Sequence, residues 1–116
     1  MTTIDESPRL TSTERKHLRG LAHPLNAIVL VGNAGVNEAV LAATRRALDD
    51  HELIKVKIRA DRDERARMAA ELEQGCEAEL AGMVGTIAIL YRRHPDPDRR
   101  KITLPTKAKG AEPAPG

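Results

Sequence analysis

The chain has 116 residues, a formal net charge of +2 and 41% hydrophobic residues, which fits one domain with short terminal segments. Aromatic residues make up only 1% of it, so the chain cannot hold nucleobases by stacking them on aromatic rings. No apolar run approaches the roughly 20 residues that cross a bilayer, and no basic-then-apolar secretory signal opens the chain. The single cysteine, Cys76, cannot form an internal disulfide. We therefore expect a cytoplasmic protein with no membrane partner.

The first half of the chain predicts a helix, a strand and a second helix. Residues 1–9 are polar and predict a flexible leader. The first helix is predicted to begin at Thr11, where Glu14 completes a capping box, and to end before Pro24. Strand 28–31 follows and is apolar on both faces, which predicts a strand in the interior of the sheet.

The second half continues the alternation and ends in a hairpin. Strand 53–58 alternates apolar and basic residues, so its two lysines should share one face. A bulge is predicted at Gly82, in the first strand of the hairpin. The remaining predicted elements are a helix from Val36 or Asn37 to Asp50, a helix capped by Asp61 that ends at Gly75, and a hairpin over 78–91.

The element order α-β-α-β-α-β-β predicts the fold class. A strand–helix–strand unit connects right-handedly into a parallel pair, and the hairpin adds antiparallel strands. We expect an α/β (α+β) fold, a single compact domain over residues 10–93 with a four-stranded mixed sheet. A Pro/Lys/Gly-rich tail is predicted from 94 to 116, in which 101–105 is a candidate docked segment. Nothing in the pattern indicates an obligate dimer, so a monomer is expected.

The residues that carry chemistry do not form a catalytic or metal-binding pattern. The four histidines have no metal-ligand spacing with one another, with Cys76 or with an acid. The two serines, Ser7 and Ser12, lie near the N-terminus, where a nucleophilic triad is implausible. Neither a nucleotide P-loop nor a dinucleotide-binding glycine pattern is present. We therefore expect no enzyme, no cofactor, no metal and no small-molecule substrate.

One turn stands out as a candidate anion site. Gly32-Asn33-Ala34-Gly35 lies between an apolar strand and a helix. A helix N-terminus carries unpaired N–H groups, and glycines let a phosphate approach the backbone closely. KH-type modules clamp a nucleic-acid backbone with such a Gly-x-x-Gly loop. The alternative is a tight turn with no ligand.

Basic residues cluster despite the small net charge, which is compatible with one anion-binding face or with several solvated surfaces. The bases expected to flank the turn lie in the first helix and in strand 53–58, and His23 precedes Pro24 at the mouth of the loop. The candidate RNA-binding set is therefore Gly32, Asn33, Ala34, Gly35, Lys16, Arg19, His23, Lys55 and Lys57.

Several separated stretches resemble the CRM domain (chloroplast RNA splicing and ribosome maturation) and, more narrowly, bacterial stand-alone YhbY-type proteins. The resemblance covers residues 10–105. It is carried by residues 18–25, 29–36 and 51–58, and by the endings 85–92 and 101–105. It implies a fold related to the C-terminal domain of bacterial translation initiation factor three. It also implies RNA binding through the Gly-x-x-Gly loop, and association with precursor large ribosomal subunits.

Family members often carry lysine near the positions of Asn33 and Asn26, where this chain has neutral amides, which shifts weight to the flanking bases. The first hypothesis is thus an RNA-binding assembly factor whose partner is ribosomal RNA. It predicts that Gly35→Asp weakens RNA binding and leaves the fold intact. The alternative is a protein–protein adaptor on the ribosome or an assembly factor, with a purely structural glycine loop.

Overall fold

A computed structural model describes residues 10–104, so the predicted leader and the end of the predicted tail lie outside the described residues. The element order confirms the predicted α-β-α-β-α-β-β. The helices and strands are α1 Ser12–Ala22, β1 Ala27–Val31, α2 Glu38–His51, β2 Leu53–Ile58, α3 Arg62–Cys76, β3 Glu79–Val84 and β4 Ile87–Tyr91, followed by a short 3-10 helix, Pro97–Arg99. No helix within residues 10–104 is both long enough and apolar enough to cross a membrane.

The four strands form one mixed sheet in the order β1-β2-β4-β3. β1 runs parallel to β2, whereas β4 pairs antiparallel with both β2 and β3. The register between β3 and β4 shifts between Leu80 and Gly82, which confirms the predicted bulge. The mixed four-stranded sheet that the element order predicted is therefore present.

β1 lies at the edge of the sheet, so its predicted interior position is wrong. The hairpin strand β4 occupies the far side of β2, where Leu53 pairs with Tyr91, and β1 is left with one neighbour. Its apolar residues on both faces had suggested burial, yet Ile28 is 52% exposed and Leu30 is 50% exposed. The error arises because strand burial depends on the order of strands in the sheet, which the local pattern does not encode.

The sheet is the middle of three layers. Helices α2 and α3 cover one face and form the larger core, into which Val31, Val56 and Leu72 are completely buried. Helix α1 covers part of the other face and forms a second core around Leu18. The apolar side chains of residues 102 and 104 pack against this second core. Alternating residues of the strands therefore serve two separate cores.

The helix starts follow from local capping, whereas α2 and α3 each end one residue later than predicted, at His51 and Cys76. Thr11 and Glu14 form the predicted capping box, and the Asn37 side chain accepts a hydrogen bond from the Val40 N–H at the start of α2. The predicted end of α3 at Gly75 is wrong. The helix continues to Cys76, and the left-handed residue that follows it is Glu77, with φ of 55°.

Gly75 lies inside α3, where the lack of a side chain permits close packing between α2 and α3. A Cβ atom at this position would lie 2.7 Å from Leu41 Cδ2. Alanine normally stabilises a helix relative to glycine, but here the steric contact opposes that gain. The glycine therefore serves the contact between the helices, and α3 ends at the left-handed Glu77, whose N–H donates to the carbonyls of Gln74 and Glu73.

We expect Gly75→Ala to lower the free energy of unfolding by about 1–2 kcal/mol. The matched variant Gly20→Ala should raise it by about 0.5–1 kcal/mol, because a Cβ at Gly20 in α1 meets nothing within 4 Å. Urea unfolding monitored by circular dichroism measures both changes. Equal stabilisation by the two alanines would contradict the packing argument.

A buried carboxylate joins α2, β2 and the segment after β4. Glu52 has no solvent exposure and a φ of 65°. Its Oε2 accepts a hydrogen bond of 2.6 Å from the His94 N–H, and its Oε1 accepts bonds of 2.7 and 3.0 Å from the N–H groups of Lys101 and Ile102. The Glu52 side chain therefore joins both ends of segment 94–102 to the domain, in addition to the packing of Ile102 on the second core.

Candidate nucleic-acid interface

The Gly-x-x-Gly segment forms a closed turn at the end of β1. The Gly35 N–H donates to the Gly32 carbonyl at 3.0 Å, and Gly35 has a φ of 76°. Asn33 and Ala34 at the tip are exposed, and their N–H groups have no hydrogen-bond acceptor within residues 10–104. The turn thus offers two adjacent backbone donors to solvent, which is a geometry suited to an anion.

Gly32 and Gly35 differ in whether the structure requires a glycine at that position. Gly35 needs its positive φ, and Met68 Cε would lie 3.8 Å from an added Cβ. A Cβ at Gly32 would meet nothing within 4 Å, and Gly32 does not have a positive φ. Packing within the described residues therefore explains Gly35 but not Gly32, where the open space would admit a ligand.

A row of side chains crosses the open end of the sheet beside this turn. The register pairs Leu30 with Lys57, Lys57 with Ile87, and Ile87 with Val84. Partners in register lie on the same face, and here it is the face that α1 covers only in part. Lys57 is exposed and has no hydrogen-bond or ion-pair partner in the part of the chain that the structure describes. It is an available cation close to the turn.

Arg59 belongs beside the turn, and the candidate set omitted it. Its N–H donates to the carbonyl of Val31, the residue just before Gly32, at 3.0 Å, and the residue is exposed. The alternating basic residues at 55, 57 and 59 were the signal that could have identified it. β2 therefore brings two cations, Lys57 and Arg59, to the same end of the sheet as the turn.

Two members of the candidate set are engaged in structural contacts. The Lys55 ammonium donates to the carbonyls of His23 and Leu25 at 3.1 and 3.0 Å. The Arg19 guanidinium donates to the Ala81 carbonyl at 3.1 Å. Its aliphatic stem lies over Gly82, where an added Cβ would approach Arg19 Cδ to 2.6 Å. These contacts fix α1 and the following loop on the sheet.

Lys16 and His23 are exposed but do not lie beside the turn. Lys16 is on the solvent side of α1, opposite Leu18, which packs on the sheet. His23 caps the C-terminal end of α1 and offers its carbonyl to Lys55. The structure thus places Lys57 near the turn, and Lys16, Arg19, His23 and Lys55 on or below α1.

Groups with potential reactivity are accounted for by packing. Cys76 is buried, and burial raises the pKa of its thiol against the opposing effect of Arg45 and Arg92. Burial also raises the pKa of Tyr91, and the nearby Glu52 carboxylate adds to that increase. A cysteine and a tyrosine that stay protonated at neutral pH are poor nucleophiles. No cluster of three or more His, Cys, Asp or Glu residues within positions 10–104 could hold a metal ion.

The fold is a small α+β module with an exposed glycine turn at one end of its sheet. The model of the CRS1 / YhbY (CRM) domain matches residues 10–92. The chain therefore belongs to the CRS1/YhbY (CRM) domain family, and the resemblance inferred from the sequence is confirmed.

Relatives and a solved structure agree with this assignment. A probable RNA-binding protein of Pseudomonas aeruginosa is 38% identical over 91 residues, which cover 78% of this chain and 88% of that protein. An RNA-binding protein of Haemophilus influenzae is 38% identical over 99 residues, 84% of this chain and 97% of that protein. The solution structure of a hypothetical Staphylococcus aureus protein, described as a candidate RNA-binding protein, has a TM-score of 0.71 and 27% identity. It covers 82% of this chain and 100% of that one.

Proposed function

We propose that the chain is a non-enzymatic RNA-binding protein that holds the RNA backbone at the Gly32–Gly35 turn. The observation that carries this proposal is the open space at Gly32 beside two N–H groups that find no acceptor within residues 10–104. A phosphate placed there would accept hydrogen bonds from Asn33 and Ala34. The names of the bacterial relatives support RNA as the ligand.

Cations around the turn would bind the neighbouring phosphates in two groups. Lys57 and Arg59 are closest to the turn along the sheet. Lys16 and His23 would extend the contact over α1, where both are exposed. Arg19 and Lys55 retain a role in shaping this surface, since their hydrogen bonds hold α1 and its following loop in place. The aliphatic row beside Lys57 favours contact with sugar and backbone over base stacking.

The RNA that fits the family resemblance best is ribosomal RNA in precursors of the large subunit. Fractionation of a lysate on a sucrose gradient, with capture of the tagged protein and sequencing of bound RNA, tests this assignment. Enrichment of large-subunit RNA in fractions lighter than the mature subunit is the expected result. Binding to other RNA classes with no such enrichment would leave RNA binding intact and reject the ribosomal assignment.

Lys57→Ala is expected to reduce the salt dependence of RNA binding. Each phosphate neutralised on single-stranded RNA contributes about 0.7 to the slope of log affinity against log salt, so the slope should fall by about that amount. Arg46, which is exposed on α2 away from the turn, provides the matched control, and its alanine variant should keep the original slope. Fluorescence anisotropy over a range of salt concentrations measures both slopes. A change in the slope with Arg46→Ala alone would contradict the proposed surface.

A protein–protein adaptor is the second candidate function, because the backbone explains Gly35 without any ligand. Its φ of 76° is what a tight turn needs. The two functions differ in the behaviour of the purified protein with naked RNA at physiological salt. Binding there supports the first proposal, whereas partner proteins that stay bound after nuclease treatment, with no RNA affinity, would favour the adaptor.

A further inference from the structure

The outer edge of β1 has no neighbouring strand within residues 10–104, and after a register shift between Ala27 and Val29 its residues pair regularly with β2. The strand reads Ala-Ile-Val-Leu-Val, without charge or proline, and among the described residues it pairs only with β2. The Val31 carbonyl accepts its bond on the β2 side, so the N–H and C=O of Leu30 point to the free side. Exposed sheet edges usually carry lysine, proline or a covering segment that blocks pairing with another chain.

An apolar groove adjoins this edge at the opposite end of β1 from the glycine turn. It has a volume of about 580 Å³ and lies between α1, the start of β1, the end of α2 and residues 101–103. Leu21 and Leu25 are each 41% exposed there, beside Ile28. Large aliphatic side chains exposed together in a concave surface are characteristic of a docking site.

The rim of the groove carries one cation, Lys101, beside the imidazoles of His17 and His51 and the amide of Asn26. Among residues 10–104, no carboxylate lines it. A partner that fills the groove should therefore carry acidic residues next to its apolar ones. Because the apolar lining is aliphatic, it lacks the aromatic faces on which RNA bases stack, which favours a polypeptide over a nucleobase.

We propose that this edge and groove bind an extended segment of a partner protein, in which aliphatic residues are flanked by acidic ones. The segment adds to the sheet as a strand beside β1, so that main-chain hydrogen bonds hold it. Its aliphatic side chains enter the groove over Ile28, and its carboxylates meet Lys101 and the imidazole of His17. A second copy of this chain that pairs through its own β1 is a poorer fit, because that strand has no acidic residue.

This surface is separate from the Gly32–Gly35 turn with Lys57 and Arg59, and its α1 side adjoins Lys16 and His23, which the proposed RNA contact reaches. The length of β1 lies between the groove and the Gly32–Gly35 turn, so a peptide and an RNA backbone could occupy the molecule together. The inference does not depend on RNA binding, and loss of one activity would leave the other measurable.

The test uses the full-length, isotope-labelled protein and a short synthetic peptide with central isoleucine and valine residues flanked by glutamates. We expect shifts of the amide resonances of residues 27–30 and of the groove, while those of Asn33 and Ala34 stay in place. A second peptide with lysine in place of glutamate should bind at least about tenfold more weakly. Absence of binding by the acidic peptide, or equal binding by both peptides, would overturn the proposal.

Substitutions distinguish specific binding in the groove from nonspecific pairing of a peptide with either edge strand of the sheet. Ile28→Lys should weaken binding of the acidic peptide at least about tenfold, and Lys101→Glu should weaken it while strengthening binding of the basic peptide. Val84→Lys is the matched control, because Val84 is an exposed apolar residue on the opposite edge strand. The Val84→Lys variant should bind the acidic peptide as tightly as the parent protein does. Two other outcomes would overturn the proposal. If an RNA oligonucleotide shifts the same groove resonances, the surface binds RNA. If the free protein is a dimer that Ile28→Lys dissociates, the surface binds a second copy.

Discussion

Replacement of Glu52 by alanine is expected to lower the free energy of unfolding by about 3–5 kcal/mol. The carboxylate is completely buried and accepts hydrogen bonds from the N–H groups of His94, Lys101 and Ile102. Hydrogen bonds to a charged group contribute about 1.5–3 kcal/mol each. Part of the loss is recovered because residues 94–102 can separate from the domain and become hydrated. Urea unfolding monitored by circular dichroism measures the change.

The positive φ of Glu52 requires a control that separates backbone strain from hydrogen bonding. Glu77 provides it, because it has a φ of 55° and is exposed. Glu77→Gly relaxes the backbone, and its only cost is the larger conformational entropy that glycine loses on folding. The stability of this variant should therefore stay within about 1 kcal/mol of the parent. Glu52→Gly also relaxes a positive φ, at a ψ of −39° in place of the 43° of Glu77, but it removes all three bonds. If the two glycine variants had equal stability, the hydrogen bonds of Glu52 would not be the main contribution.

Gly32→Asp is expected to reduce RNA affinity at least about tenfold, which corresponds to about 1.4 kcal/mol. The new carboxylate would stand where a phosphate must approach, and like charges at such a distance repel strongly. The fold should be unaffected, because a Cβ at Gly32 meets nothing within 4 Å. Gly35→Asp is a weaker test of RNA binding, because Gly35 has a φ of 76° and any side chain at that position would be strained.

The control for Gly32→Asp adds one unit of negative charge elsewhere. Gln74 is exposed near the C-terminal end of α3, which covers the face of the sheet opposite Lys57. Gln74→Glu changes the net charge equally, so it should lower affinity only by the small, long-range effect of one charge. Anisotropy titrations with the same RNA compare the two variants. Equal affinities for both would mean that the turn does not contact RNA.

Most of the secondary structure was predicted correctly from the sequence, because helix caps and strand alternation depend on residues that are close together in the chain. The capping box of Thr11 and Glu14, the cap at Asn37 and the alternation in β2 each depend on residues within one or two turns of each other. The edge position of β1 could not be predicted in this way. It depends on which side of β2 the hairpin strand β4 joins, and this is a contact between distant parts of the chain.

The candidate site shows the same division. The spacing of Gly32 and Gly35 predicted a turn, and the alternation in β2 placed Lys57 on an open face. The contacts of Lys55 with the loop after α1 span 30 and 32 positions, and the bonds of Glu52 to Lys101 and Ile102 span 49 and 50. A lysine that faces solvent and one that holds a loop have the same local sequence signal.

The most direct test of the central claim is a titration of the isotope-labelled protein with a large-subunit ribosomal RNA fragment at physiological salt. The amide resonances of Asn33 and Ala34 should shift first and furthest, together with those of Lys57 and Arg59 at the same end of the sheet. Groove residues such as Leu25 should not move. Saturable binding with these shifts would support backbone recognition at the glycine turn. Binding that leaves Asn33 and Ala34 unchanged, or no binding at all, would contradict it.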